Sequence, residues 1–306
     1  MILMKSIFQY LSKNKTAYLF IIPSIAAIAL LIFYPMIKTV VMSFTYWYIA
    51  IPKSRSPFHP FVGLENYRDV LAMSHFQKTI IVTLVYTGVC VGGRMLVGLG
   101  TALLLNKKFV GRGIVRGIMI IPWAIPTIVA CVIFTLALDP VYGIVNSILQ
   151  ELNFVETNIP FLSKPNWALL SVIVVGIWKY FPFVTLMLLA ALQGIPQSLY
   201  EVASIDGASA WKKFISITWP LLRPVWAIVM LLQIVWTVKE FELIYLITQG
   251  GPDYATATIG IDIYLNAFRF FKMGAAAAEG MLLLFFSILF SIVYFKFLMK
   301  KGESMW

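Results

Sequence analysis

Residues 196–220, PQSLYEVASIDGASAWKKFISITWP, form a polar island between two long apolar runs, Trp167–Leu192 and Leu221–Ile247. Pro196 carries no backbone N–H and ends the run before it. Ser198, followed three residues later by Glu201, has the spacing of a capping box, so a short helix distinct from the flanking runs is predicted to begin here. Gly207 supplies the left-handed conformation that ends such a helix, and a second short helix then leads to Trp219-Pro220, where the next run begins. Ala203, Ala208 and Ala210 leave a low-profile surface that another backbone or a groove can approach closely.

The chain around this island is too apolar for a soluble domain. Of its 306 residues 60% are apolar and only 12% charged, and its mean hydropathy is +0.88. Crossing about 30 Å of hydrocarbon takes roughly 20 mostly apolar residues per helix, because no water is present to satisfy backbone groups. Six runs qualify: Tyr18–Phe44, Thr79–Leu105, Ile114–Leu138, Trp167–Leu192, Leu221–Ile247 and Ala276–Phe297. The predicted fold is therefore all-α and integral to the lipid bilayer, with six transmembrane helices and the island between helices 4 and 5. Trp47, Tyr48, Trp167 and Trp306 stand at run ends, where amphipathic rings suit the headgroup zone.

The net charge of +11 does not indicate nucleic acid, because the basic residues punctuate the gaps between runs rather than forming a patch. Most of those outside the runs fall in residues 1–17, 106–116, 193–223 and 296–306, so the positive-inside rule places these segments and both termini in the cytoplasm. Residues 47–78, 139–166 and 248–275 lie outside and are too short for separate domains. The chain divides into a cytoplasmic segment (1–17), one six-span domain (18–299) with its long loop at about 193–223, and a cytoplasmic tail (300–306). Lys5, Lys13 and Lys15 precede the first run, but it continues to about Phe44 with no clean small-x-small site, so a retained span is expected rather than a cleaved signal.

Reactive chemistry is absent from the pattern. The two cysteines, Cys90 and Cys131, sit inside apolar runs and define no disulfide framework. His59 and His75 stand alone in a polar connection, without the company a metal site needs. No Gly-x-x-x-x-Gly-Lys-Ser/Thr occurs, so ATP phosphates are not cradled here, and no set of nucleophile, base and orienter is visible. Alone, the chain is not expected to be an enzyme.

The island resembles the signature loop of permease subunits of binding-protein-dependent ABC importers. The likeness rests on Glu201-Val202-Ala203, Gly207 and Ile217-Thr218-Trp219-Pro220, with Val202 and Trp219 replacing an Ala and a Leu of the family pattern. Val62-Gly63-Leu64-Glu65-Asn66-Tyr67, Ile121-Pro122-Trp123-Ala124-Ile125-Pro126, Tyr142-Gly143-Ile144-Val145-Asn146, Ile205-Asp206-Gly207-Ala208 and Thr248-Gln249-Gly250-Gly251-Pro252 extend it, in order, toward carbohydrate permeases of the maltose and glycerol-phosphate type. The resemblance implies a coupling helix, carried by Tyr200, Glu201, Ala203, Asp206, Gly207 and Ala208, seated in a cleft of a cytoplasmic ATPase. It further implies a second, different permease, an ATPase dimer that handles ATP and Mg, an extracytoplasmic solute-binding protein, and a bacterial or archaeal cytoplasmic membrane. Glu201 has two readings, local capping or pairing with a basic residue of the ATPase.

Charged groups at bilayer depth face a bundle interior or a wet cavity, which makes Arg94, Lys179, Lys239, Glu240 and Glu242 pathway candidates. Lys239 with Glu240 and Glu242 reads equally as an internal neutralising pair or as an ion pair with the partner permease. Aromatic faces suit sugar C–H faces, and Glu, Thr and Tyr bond hydroxyls. By the resemblance, Gly176, Tyr180, Phe183, Trp236, Thr237 and Glu240 occupy the places of a sugar path; singly, Phe183 and Trp236 read as helix packing. Pro182 is expected to kink its helix and free carbonyls. Gly88 with Gly92 and Gly113 with Gly117 have the spacing of close helix contacts. The cargo implied is an oligosaccharide, with a sugar phosphate or a uronate-containing saccharide as the alternative raised by Lys179 and Lys239. A secondary transporter or channel would use the same intramembrane charges, but has no use for a protruding capped loop; a membrane scaffold or lipid enzyme needs no ATPase partner.

Overall fold

The computed structural model describes residues 15–47 and 60–302. The expectations placed on Lys5, Lys13, Tyr48, His59 and Trp306, and on most of the two terminal segments, lie outside the described residues. Five helical stretches are long and apolar enough to cross a bilayer: Leu19–Ser43, Ser74–Asn106, Pro165–Gln193, Ala210–Val238 and Met273–Lys296. A bent pair, Arg112–Ala124 with Thr127–Ala137, inclined at 91°, is apolar enough to bring the crossings to six when it is counted as one span.

In chain order the helices are α1 (Lys15–Ile28), α2 (Tyr34–Ser43), α3 (Glu65–Ala72), α4 (Ser74–Asn106), α5 (Arg112–Ala124), α6 (Thr127–Ala137), α7 (Ile144–Glu151), α8 (Pro165–Gln193), α9 (Gln197–Ile205), α10 (Ala210–Lys213), α11 (Trp219–Val238), α12 (Glu242–Thr248), α13 (Ile259–Tyr264) and α14 (Met273–Gly302). Wider π turns join α1 to α2 and α10 to α11, so each of these pairs runs on as one rod. The chain divides into two compact units, one of residues up to Val70 with Asn266–Leu282, the other of Leu71–Leu265 with the chain from Leu283 onward.

In the first unit the motif Val62–Tyr67 clamps the end of the first span. Gly63 turns the chain at φ +60°. Asn66 Nδ2 then donates to the carbonyls of Ser43 (3.0 Å) and Thr45 (2.9 Å), and Tyr67 Oη donates to Ser43 Oγ at 2.7 Å. These are carbonyls that the helix end leaves without intrahelical partners. Gly274 comes so close that a Cβ there would lie 2.6 Å from the Thr45 carbonyl, which only glycine allows. The rest of the span, Leu19 to Phe33, is apolar and exposed in this chain.

The second unit is built on α4 and α8, which pack along their lengths. Gly93 and Gly98 permit the approach: a Cβ on Gly98 would meet Val184 at 2.5 Å, and one on Gly93 would meet Ile177 at 2.3 Å. Gly88, Gly92, Gly113 and Gly117 instead have nothing within 4 Å of a Cβ, so the expected small-residue contacts are not made among the described residues. The reason is rotational. Gly93 and Gly98 fall on the face of α4 that carries the buried residues Cys90, Arg94 and Ala102, whereas Gly88 and Gly92 fall with exposed Leu84 and Leu96.

Two runs expected to be continuous are broken. The third bends at Ile125-Pro126, both extended; proline denies helical geometry to the residue before it. The fifth stops at Val238 and resumes at Glu242. There the Thr258 hydroxyl donates to the freed Glu240 carbonyl at 3.3 Å, and Gly260 lets α13 lie against the same backbone. Pro182, by contrast, lies inside the continuous helix α8.

A candidate coupling loop and transmembrane path

The island folds as a braced hairpin, but not through the expected capping box. Pro196 occupies the N-cap of α9 and no side chain caps the helix, so Ser198 and Glu201 lie within it. Glu201 is exposed, and the local-capping reading of it fails. The other end forms as expected. Gly207, at φ +70°, lets its own N–H reach the Ser204 carbonyl (3.1 Å) while the Ala208 N–H reaches that of Ala203 (2.8 Å), the paired bonds of a Schellman stop. Ser209 caps α10 by accepting from the Lys212 N–H.

Two bonds hold α9 to the returning strand of the hairpin. Tyr200 Oη and Thr218 Oγ1 lie 2.9 Å apart. Lys213 Nζ donates at 2.7 Å to Ser204 Oγ, which in turn donates to the Tyr200 carbonyl. The outer surface of α9 exposes Leu199, Val202 and Ile205, the last at 86%. The returning limb, expected as a separate helix before Pro220, continues into the span.

Six path residues were named from the sequence, and three of them gather on Arg94. This side chain is 1% exposed. Its Nε donates to the Gly176 carbonyl at 3.1 Å, and its Nη1 donates to Thr237 Oγ1 at 2.7 Å and Gln233 Oε1 at 3.2 Å. Its guanidinium also lies 4.7 Å from the centre of the Tyr180 ring, a cation–π contact. Arg94 thereby ties α4, α8 and α11 together at one level. Gly176 is required there: a Cβ would crowd the Tyr86 hydroxyl at 3.0 Å and Arg94 Nη2 at 3.3 Å. Thr237 is fully buried and accepts from Arg94.

Phe183 and Trp236 form a second group. Their rings meet edge to face at 5.1 Å, and Trp123 lies 6.1 Å from Phe183. Trp236 is 48% exposed and Trp123 46%, so this aromatic surface is open where the Arg94 cluster is closed. Gly176, Tyr180 and Phe183 fall on one face of α8 by their i, i+4, i+7 spacing. Glu240, in the break of the fifth run, is partly exposed and shares an electrostatic neighbourhood with Arg94, Glu242 and Tyr180.

Lys179 has a different task from either one expected. Its ammonium donates to the carbonyls of Pro122 (2.9 Å), Trp123 (3.4 Å) and Ile125, the free C-terminal carbonyls of α5 at the bend. A cation at a helix C-terminus is also favoured by the dipole. Lys239 and Glu242 are both exposed and form no salt bridge among the described residues, against the expected internal pair. His75, expected to stand alone, has its Nε2 3.9 Å from the Asp262 carboxylate. Gln233, Thr218, Ser204 and Lys213 were missed. Gln233 offered the one usable signal, a polar amide within an apolar run.

The molecule so described is a multi-span helical membrane protein with two broken crossings around a buried polar cluster and a braced loop joining two of its spans. Residues 94–298 match the family described as "binding-protein-dependent transport system inner membrane component". The trehalose/maltose transport system permease protein MalF of Thermococcus litoralis is 38% identical over 92% of this chain and 93% of its own length. The sulfoquinovosyl glycerol transport system permease protein SmoG of Agrobacterium fabrum is 33% identical over 93% of this chain and 91% of its own. In structure, the chain superposes on a bacterial ABC transporter involved in import of the acidic polysaccharide alginate, with a TM-score of 0.81 at 23% identity, covering 95% of this chain and 98% of that one. The chain belongs to the binding-protein-dependent transport system inner membrane components. It is a multi-pass permease subunit of an ABC importer.

Proposed function

We propose that this permease pairs with a second, different permease, docks through α9 on a cytoplasmic ATPase dimer that hydrolyses ATP with Mg, and passes a saccharide inward from an extracytoplasmic binding protein. The observation that carries this reading is connectivity: the braced hairpin 197–218 joins α8 directly to α11, the two helices that Arg94 locks together and that carry Phe183 and Trp236. Movement of a rigid short helix is then transmitted to the solute path as a rigid-body rotation. The exposed aromatic surface, with Tyr180 and Glu240 nearby, suits the C–H faces and hydroxyls of sugar rings.

An uncharged oligosaccharide is favoured over a sugar phosphate or uronate. Lys179, one of the two cations that raised the anionic alternative, has its donors committed to three carbonyls. The relative named for trehalose and maltose supports the neutral cargo, while the one named for sulfoquinovosyl glycerol supports the charged one. The test is ATPase stimulation and uptake in proteoliposomes holding both permeases, the ATPase and the cognate binding protein, across neutral, sulfonated and uronate saccharides. Stimulation by charged saccharides alone would overturn the cargo assignment. Uptake by this chain without the ATPase would overturn the architecture.

A further inference from the structure

The connection between α4 and α5 and the first turns of α5 carry four cations, Lys107, Lys108, Arg112 and Arg116, and no acidic residue. Arg112 and Arg116, one turn apart, converge on Gln193 at the end of α8. With the Gln193 carbonyl facing them, it accepts from Arg116 Nη2 at 2.5 Å and from Arg112 Nη2 at 3.2 Å. One neutral oxygen thus holds two guanidiniums side by side. The Nε groups of both are buried without a hydrogen-bond partner, and neither residue forms a salt bridge among the described residues. Like charges held together with no carboxylate repel, and their remaining donors point to an anion.

The adjoining backbone has the same polarity. Gly111, at φ +82°, starts α5 with no side-chain cap and no acid in its first turn, so the leading N–H groups are unsatisfied. Lys107 and Lys108 are exposed beside them. Apolar side chains frame the cluster: Val110 is wholly exposed at the tip of the connection, Phe109 is exposed beside it, and Ile114 and Ile118 are exposed along α5. A soluble anion would not need that apolar border. Cations at the end of a span next to lipid-facing apolar residues match a phosphate at headgroup level with acyl chains below it.

We infer that this connection is a binding site for an anionic phospholipid of the cytoplasmic leaflet, with Arg112 and Arg116 on the phosphate, Lys107 and Lys108 beside it, and Phe109 and Val110 in the interface. The inference rests on the cytoplasmic placement of residues 106–116. That placement is checked separately by labelling Val110→Cys with an impermeant thiol reagent from each side.

The experiment uses the full transporter purified into detergent, then placed in nanodiscs of phosphatidylcholine with or without phosphatidylglycerol, with retained lipid read by native mass spectrometry. Retention of phosphatidylglycerol over phosphatidylcholine is expected. A cation near the surface contributes about fivefold, so Arg112→Gln with Arg116→Gln is expected to cut that preference about 25-fold. Lys107→Gln with Lys108→Gln, whose side chains are exposed and make no internal bond that folding needs, is expected to cut it similarly in an assembled complex. Equal retention of the two lipids, or a preference unchanged in both double variants, would overturn the inference. So would competition by millimolar inorganic phosphate, which would make the ligand a free anion, or crosslinking of Arg116→Cys to the ATPase, which would make this surface a protein interface.

Discussion

Arg94 Nη1 and Thr237 Oγ1 lie 2.7 Å apart inside the bundle, joining α4 to α11 across 143 positions of sequence. The Thr237 hydroxyl simultaneously donates to the Gln233 carbonyl at 2.6 Å, so one short side chain fixes both the guanidinium and its own helix. Thr237→Val keeps shape but removes the acceptor of a charge-assisted bond, a loss of about 1.5–3 kcal/mol. Thermal unfolding of the assembled transporter is expected to shift downward in Thr237→Val and to stay near wild type in Thr237→Ser. Equal behaviour of the two would show that the hydroxyl does not hold Arg94.

Lys179 bridges the bend of the third crossing to α8. Lys179→Met leaves its carbonyl partners buried without donors, at a cost of about 1–3 kcal/mol for each group left unsatisfied. Faster amide exchange over Thr127–Ala130, just beyond the bend, is the expected readout, with partial rescue by Lys179→Arg. Unchanged exchange in Lys179→Met would mean that Pro126 alone sets the bend.

Gly98 and Gly100 sit two residues apart on α4 with opposite surroundings. Gly98→Leu drives a side chain into Val184 and is expected to prevent packing of α4 on α8 and lower the yield of assembled complex, whereas Gly100 has nothing within 4 Å. Gly100→Leu is expected to be accepted by this chain on its own. Comparable yields for the two variants would contradict the packing described here.

Gly207 has open space around it, so its requirement is purely of backbone. Gly207→Ala forces a left-handed conformation on a residue with a Cβ, costing about 1–2 kcal/mol. Unravelling of the stop at Ala203 and Ala208 is expected, with ATP hydrolysis less tightly coupled to uptake in proteoliposomes. A wild-type ratio of transport to hydrolysis in this variant would remove Gly207 from the coupling loop.

Asp262, in α13, is 0% exposed, and both of its carboxylate oxygens lack hydrogen bonds. Burial holds its pKa above the ordinary carboxylate value, with His75 opposing the rise. The protonated form is the one that suits the fold. Its contribution is complete below the ordinary carboxylate range and is lost as pH rises through the raised value. Asp262→Asn retains a neutral group at every pH, so its stability gain over wild type is expected to be absent in acid and to grow toward neutrality. A gain independent of pH would assign the effect to packing.

Apolar run length made five crossings, and the sixth apolar run that folds as a bent pair, legible in order, because a bilayer imposes its thickness on any chain that spans it. The stop at Gly207 was equally legible, since a left-handed turn is a local demand that glycine meets at little cost. The capping box was misread for the opposite reason: Ser198 and Glu201 have the right spacing, but Pro196 already sets the helix start one residue before Gln197, and spacing does not record which residue is the cap.

What the residues determined by themselves was local or set by the solvent: the membrane class, the order of the apolar runs, the polar island and the glycine that ends its helix. Only the tertiary structure decided what the buried charges do. Arg94 meets residues 82 and 143 positions away, and Lys179 meets the carbonyls of a bend 54 to 57 positions earlier, where one reading had assigned it to an anionic cargo. A charge in hydrocarbon must find partners, and composition reveals that need. Which partners it finds depends on helix rotation and on where the spans break, and both are set by packing between segments far apart in the chain.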